Sequence, residues 1–372
     1  MLEPDLKLMR KIHIFKNVAR SEGKNFAIKL ARLSMTKFFF KTKLRASDGV
    51  ALFLMPTKGI GDGIIFTGLF KAMNDSGYKV YVLSRKDNSF FYRKNTDITG
   101  VIDYDLNSGV TRQDIVDQVG FNDFDILIEM YGDTAPIVHR VNAMAAINAR
   151  HRLGFNGDGI LRACMDHVLE YSELDKHLSH RGTYLMHYLS INANLPGYQI
   201  HLSEIDRQLA SGLLNKFEKN FIIAFNPFAS SVRRSLSDKQ IRLVINTLAE
   251  FEDVVTIVIG EKQKIQALNI LENDRLIINR IESFHGACAV IELSDMVVTS
   301  ETSFVHVSNA FRKKMLCLYG SEHMEEFDNN INFGPNYAGA TQIFHPNRDA
   351  VADIDPQIII STLRSMVAEL KQ

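Results

Sequence analysis

Only three cysteines occur in the 372 residues, Cys164, Cys288 and Cys317, far apart and with no CxxC spacing. That scarcity excludes a disulfide framework and a thiolate zinc site, and it fits a reducing compartment. Net charge is absent as well: 43 Lys and Arg balance 43 Asp and Glu, so nucleic acid is not expected as a partner. No apolar run approaches the ~20 residues that span a bilayer, and the first residues show no signal-peptide core. Internal repeats and low-complexity tracts are missing. So are the GxGxxG of dinucleotide sites, the Gly-Lys-Ser/Thr of a P-loop and the paired histidines of a helical zinc site. These gaps weigh against an oxidoreductase, an NTPase and a metalloenzyme; no metal or other cofactor is expected.

What is present is patterned. The chain exceeds the ~250–300 residues at which single cores usually split, so two domains are expected. Residues 1–48 form a basic extension: from Met1 to Arg45, twelve Lys or Arg face only Glu3, Asp5 and Glu22. Leu8, Ile12, Phe15, Val18, Phe26, Leu30 and Leu33 recur there at roughly helical spacing. Two readings stand: a cationic amphipathic helix on an anionic membrane surface, or a packed helix with a solvated Lys-rich face.

From Val50 the pattern changes to short apolar runs alternating with helical stretches. Strands are expected at Val50–Met55, Tyr78–Leu83, Val101–Tyr104 and Phe124–Glu129. After a linker at 196–204 a second series predicts strands Phe221–Phe225, Val254–Ile259, Leu276–Ile278, Met296–Thr299 and Lys314–Tyr319. The expected fold is α/β, with two Rossmann-like, doubly wound parallel-sheet domains at 49–195 and 205–350. A C-terminal helix within 351–372 is a candidate for packing back on the first domain. Open sheets of this kind place ligands at their carboxyl edges, which implies a central cleft.

Three loops carry candidate chemistry. Gly59, Gly61 and Gly63 follow the first strand and allow close backbone approach to a ligand. Asp62 among them suits a general base; the plainer reading is a helix cap. Phe225 to Leu236 includes Ser230, Ser231, Arg233 and Arg234, whose hydroxyls and guanidiniums suit a diphosphate; the alternative is a polar loop before a helix capped by Ser237. Ser300 to Ala310 opens a helix whose first amides, at Thr302 and Ser303, could meet a phosphate. His306 lies one turn in, where a histidine is more often structural.

These motifs, in this order, resemble the bacterial ADP-heptose:lipopolysaccharide heptosyltransferases of glycosyltransferase family 9. The resemblance covers about residues 49–325: Gly61-Asp62, Arg152-Leu153-Gly154-Phe155, Asn226 to Arg234, Glu301 to His306, and Leu318-Tyr319-Gly320. It implies a GT-B fold and metal-free transfer, with inversion, from a nucleotide-diphosphate sugar to a lipid-linked saccharide. By position, Asp62 matches the base; Ser230, Ser231 and Arg234 (or Arg233) lie near the donor phosphates. Thr302, Ser303 and His306 match the helix-start motif, and Glu261 the acid that contacts the nucleoside. Two departures stand out. The family's Asp-Thr-Gly is Glu301-Thr302-Ser303, which narrows the space beside the phosphates, and its usual Trp is Leu236.

The function implied is heptosyl transfer from ADP-heptose to a lipopolysaccharide core, in the cytoplasm or peripherally on the inner face of a bacterial inner membrane. The alternatives are a UDP- or GDP-sugar transferase acting on capsule or glycoprotein, and a catalytically silent binding protein of the same fold.

Overall fold

The computed structural model describes residues 49–371, apart from 57–58, 133–136, 157–158, 174, 321–322, 325–326 and 346–349. The basic extension 1–48 and Thr57-Lys58 of the first glycine-rich loop lie outside the described residues. The chain divides into two compact units. One gathers the described part of Met1–Lys58 with Met73–Tyr171 and Leu189–Ile191; the other comprises Gly59–Ala72, Ser172–Tyr188 and Asn192–Gln372. The division is therefore not one cut near residue 195. Residues 59–72, 172–188 and 192–195 belong to the second unit.

The first unit holds six strands: β1 (Val50–Met55), β2 (Lys79–Arg85), β3 (Gly100–Tyr104), β4 (Asp123–Glu129), β5 (Asn148–Phe155) and β6 (His167–Leu169). They pair in the order β3-β2-β1-β4-β5-β6, every pair parallel. β1 reads VALFLM without alternation because both faces of a parallel sheet are covered; Ala51 to Met55 are all buried. β5 and β6 escape the strand reading. β5 begins polar (Asn-Ala-Arg-His) and β6 has only three residues, too short to show a period.

At the carboxyl end of β4 a buried ion pair braces the loop. Arg140 lies 2.7 Å from Glu129, and both side chains are almost wholly enclosed. The Glu129 carboxylate also accepts from the amides of Tyr131 (3.0 Å) and Gly132 (2.8 Å). Arg140 in turn donates to the Gly132 carbonyl at 2.5 Å. Gly132 has φ 57°, and an added Cβ would lie 2.5 Å from the Phe155 carbonyl oxygen, so only glycine fits there.

The second unit repeats the architecture with β7 (Phe221–Asn226), β8 (Val254–Val258), β9 (Leu276–Ile278), β10 (Met296–Ser300) and β11 (Lys314–Tyr319). A two-residue antiparallel pair, β12 (His323–Met324) and β13 (Phe327–Asp328), precedes the edge strand β14 (Ala340–Phe344). The main sheet runs β14-β11-β10-β7-β8-β9 and is parallel throughout. The C-terminal helix Pro356–Leu370 packs on the core of this unit. Ile359, Leu363, Met366 and Val367 join the core of Ile223, Val244 and Leu248. Gln240 fixes its approach by donating to the carbonyls of Val351 (3.0 Å) and Ile354 (3.1 Å). Among the described residues, no helix is long and apolar enough to cross a membrane.

Removing one member of the buried pair strands the other charge. Arg140→Met should cost about 3–5 kcal/mol of stability, read as a drop in the denaturant midpoint. Glu129→Leu combined with Arg140→Met should recover part of that loss, because no buried charge remains unpaired.

Candidate functional site

In the second sheet, the first strand β7 lies between β10 and β8, so the chain leaves it in opposite directions and opens a crevice at the carboxyl ends. Three of the expected segments meet there. Asn226 ends β7 and is buried; its Nδ2 donates to the Phe228 carbonyl (3.0 Å), to Thr299 Oγ1 (3.0 Å) and to Thr302 Oγ1 (3.2 Å). One side-chain amide thus ties the loop after β7 to the loop after β10. Sequence reading places Asn226 in its motif but gives it no role. The available signal is a carboxamide at the end of an otherwise apolar strand.

The loop after β7 is self-closed. Ser235 Oγ accepts from the Ala229 amide and donates to the Ser231 carbonyl, both at 2.9 Å, around a short 3₁₀ turn, Val232–Arg234. Ser230, Ser231 and Arg233 are exposed, whereas Arg234 is half-buried. Ser237 caps the next helix, Asp238–Ala249, so the plain reading of that serine is present alongside the loop. Of the two arginines, Arg234 faces the start of the neighbouring helix, 3.4 Å from Glu301. Asn329 Nδ2 donates to the same Glu301 oxygen. The long carboxylate is therefore drawn into a local pair with Arg234 and Asn329.

Thr302 caps helix Ser303–Ala310, its Oγ1 accepting from the Phe304 amide at 3.2 Å. With Asn226 and Thr299 also on that oxygen, what Thr302 offers a ligand is its backbone amide, next to that of Ser303. On the opposite flank, Gly260 has φ 141°, and an added Cβ would lie 3.1 Å from Asn226 Oδ1. Glu261 follows it, exposed and paired with Lys264 at 2.8 Å. Lys264 also donates to the Ala229 carbonyl at 2.8 Å, joining the loops after β7 and β8.

The glycine-rich turn belongs to the same unit. Helix Ile60–Ile65 has Gly59 as its N-cap, and Asp62 Oδ2 accepts from the Gly59 amide at 3.2 Å. Asp62 therefore does serve the helix start, and a carboxylate with several lone pairs retains acceptor capacity for a proton. An added Cβ on Gly61 would lie 3.4 Å from His306 Cδ2 and 3.5 Å from Ser303 Cα. This turn therefore faces the first turn of helix Ser303–Ala310 across about the space of one methyl group. Gly63 is buried and donates to the Gly59 carbonyl at 3.4 Å. Behind it, Gly68 meets the backbone of Pro196, and Thr67 Oγ1 accepts from the Gln199 amide at 2.8 Å. Residues 196–199, expected as linker, are pinned to helix Thr67–Asp75.

His306 is buried. Its ring lies edge-to-face with Tyr198 and His177, centroids 6.0 and 6.3 Å away. Burial, with His177 adding to it, pushes its pKa down to about 3; burial likewise takes His177 to about 4. Both rings are neutral at physiological pH, so His306 brings no positive charge to a phosphate. His177 and Tyr198 are absent from the sequence expectations, because a lone His and a lone Tyr in irregular chain carry no local signal.

The family model for glycosyltransferase family 9 (heptosyltransferase) matches residues 113–350. An Escherichia coli K12 protein provisionally named lipopolysaccharide heptosyltransferase 4 is 20% identical over 353 residues, 92% of this chain and 96% of that one. Among solved structures, a family 9 glycosyl transferase from Veillonella parvula superposes with TM-score 0.71 at 13% identity, covering 88% of this chain and 99% of its own. The E. coli ADP-heptose lipopolysaccharide heptosyltransferase II gives 0.65 at 14%, covering 87% and 99%. Both share the two-sheet GT-B architecture.

The two neutral imidazoles make stability depend on pH in a defined direction. Below about pH 6.5 the unfolded chain protonates both histidines, while the folded chain holds them neutral down to about pH 4 and 3. Their stabilisation is complete above pH 6.5 and is lost as pH falls toward 4, by about 1.4 kcal/mol per group per pH unit. Denaturant midpoints at pH 7, 6 and 5 should fall accordingly, and His306→Leu should remove one proton from the slope.

Proposed function

We propose that this chain, which belongs to glycosyltransferase family 9 (heptosyltransferase), transfers a heptose from ADP-heptose to the core saccharide of a lipopolysaccharide acceptor, with inversion and without a metal. One observation carries the reading: the Asp62 turn faces the amino end of helix Ser303–Ala310, at a spacing that an added Cβ on Gly61 would close to within 3.5 Å of Ser303 and His306. A carboxylate that can take a proton and a helix start that can hold an anion are thereby neighbours.

In this scheme Asp62 removes the proton of the acceptor hydroxyl, whose oxygen bonds to the anomeric carbon as the bond to the diphosphate breaks. Negative charge grows on the leaving diphosphate. Arg234, the hydroxyls of Ser230 and Ser231, and the amides of Thr302 and Ser303 are the groups available to stabilise it. Arg234 can keep Glu301 and still present donors to a phosphate, because a guanidinium carries five N–H groups in a planar fork. Glu301 then orients the arginine. Glu261, exposed beside the loop after β7, is the proposed nucleoside contact. Twelve Lys or Arg within residues 1–45 add a peripheral contact with an anionic membrane face to the proposal; co-sedimentation with phosphatidylglycerol vesicles tests it.

Calorimetry with ADP-, UDP- and GDP-sugars tests the donor, and preference for a UDP- or GDP-sugar would overturn the ADP-heptose assignment. Asp62→Ala should lower kcat about 10²–10⁴-fold while leaving donor binding near normal; unchanged turnover would remove Asp62 from the mechanism. Arg234→Ala should weaken donor binding as well as rate, and an effect confined to acceptor affinity would count against its role. Activity that vanishes on chelation and returns with a divalent cation would contradict the metal-free scheme.

A further inference from the structure

Beneath the Gly61–Asp62 turn lies a group of rings that the transfer scheme does not use. His306 comes from helix Ser303–Ala310, His177 from the stretch before helix His180–Tyr188, and Tyr198 from residues 192–203. His177 and Tyr198 stack at 6.4 Å with planes 30° apart, and each meets His306 edge-on. The far side is anchored. His177 Nδ1 accepts from the Ser179 amide at 3.1 Å and lies 2.9 Å from the Ser179 hydroxyl. That hydroxyl accepts from Asn336 Nδ2 at 3.1 Å. The near side ends at Gly61, where the His306 ring edge stands at van der Waals distance from the place a Cβ would take. His306 Nδ1 is enclosed and has no hydrogen-bond partner among the described residues, a cost that a leucine at this position would not carry.

We propose that Tyr198, His177 and His306 form a positioning stack that sets the Gly61–Asp62 turn against helix Ser303–Ala310, His306 being the surface on which the turn rests. The inference depends on the reading of Asp62 as the base. Planar rings with few rotamers make a stiffer support than an aliphatic chain of similar volume. Neutrality matters equally: an imidazolium beside this turn would favour the ionised carboxylate and weaken it as a proton acceptor, and burial keeps His306 uncharged. His306 is thus a positioning residue, not a ligand to the donor phosphates.

The test uses the full chain with ADP for binding and ADP-heptose plus lipopolysaccharide core for turnover. His306→Ala and Tyr198→Ala each remove part of the support, and kcat should fall about 100-fold, as for a misplaced reacting group. The KM for ADP-heptose and the Kd for ADP should stay within about threefold of wild type, since the loss lies in the transition state. Tyr198→Phe, which keeps the ring, should restore turnover. Amide exchange across residues 59–66 should quicken in both alanine variants. Should His306→Ala fail to fold, Gly61→Leu, whose atoms beyond Cβ cannot share the space with the His306 ring, perturbs the same contact from the other side and should show the same split. Lost ADP affinity with kcat retained would make His306 a donor ligand and overturn the inference. Wild-type kcat in both alanine variants would overturn it while an inactive Asp62→Ala left the base reading standing. Undiminished transfer by Asp62→Ala would sink both.

Discussion

The amide of Asn226 holds the candidate site together. It sits where the second sheet reverses its direction of winding, and it reaches both loops that this reversal creates. Because its Nδ2 engages Thr302 Oγ1, the cap of helix Ser303–Ala310 and the loop bearing Ser230 to Arg234 are fixed to each other. Gly260, at φ 141°, takes a backbone conformation that favours glycine, and a Cβ there would crowd the same carboxamide at 3.1 Å. A buried polar network of this kind specifies one arrangement when it is satisfied and penalises every other. The neighbouring groups inherit their positions from it.

Charge is distributed around that tie in a consistent way. Of the two ion pairs, Glu261 with Lys264 keeps access to solvent, whereas in the other a partly exposed Arg234 covers a buried Glu301. The imidazoles of His177 and His306 lie inside and are neutral. A donor diphosphate would therefore meet a guanidinium already aimed by a carboxylate, and a helix start. In the first unit, Glu129 and Arg140 solve a different problem. Their charges are enclosed, and the pair survives because backbone groups of Tyr131 and Gly132 complete its hydrogen bonding.

Two parallel sheets, the strands β1 to β4 and β7 to β11, and the helices opening near Thr302 and Ser237 are all legible in the sequence. Each rests on a local signal: a continuous apolar run, a capping residue or a glycine where the chain turns. The loops containing Asp62, Arg234 and Thr302 stand at strand ends where the sequence puts them, because glycines and capping residues mark a turn within a few consecutive residues. Strands β5, β6 and β14 are not legible, because polar edge residues or short length erase their period. Which core the C-terminal helix completes is not legible either, because its apolar face, Ile359, Leu363, Met366 and Val367, does not by itself name a partner.

By itself, then, the sequence determined the α/β class, the alternation of strands and helices, and the residue types available at each strand end. Tertiary structure alone decided which of those residues act together. Gly61 faces His306 across 245 positions of chain, Arg234 pairs with Glu301, and His177 and Tyr198 stand behind His306. Local patterns report only forces that act within a few residues. These contacts depend on close packing between segments that the sheet topology brings together, and no periodicity along the chain encodes such a distance.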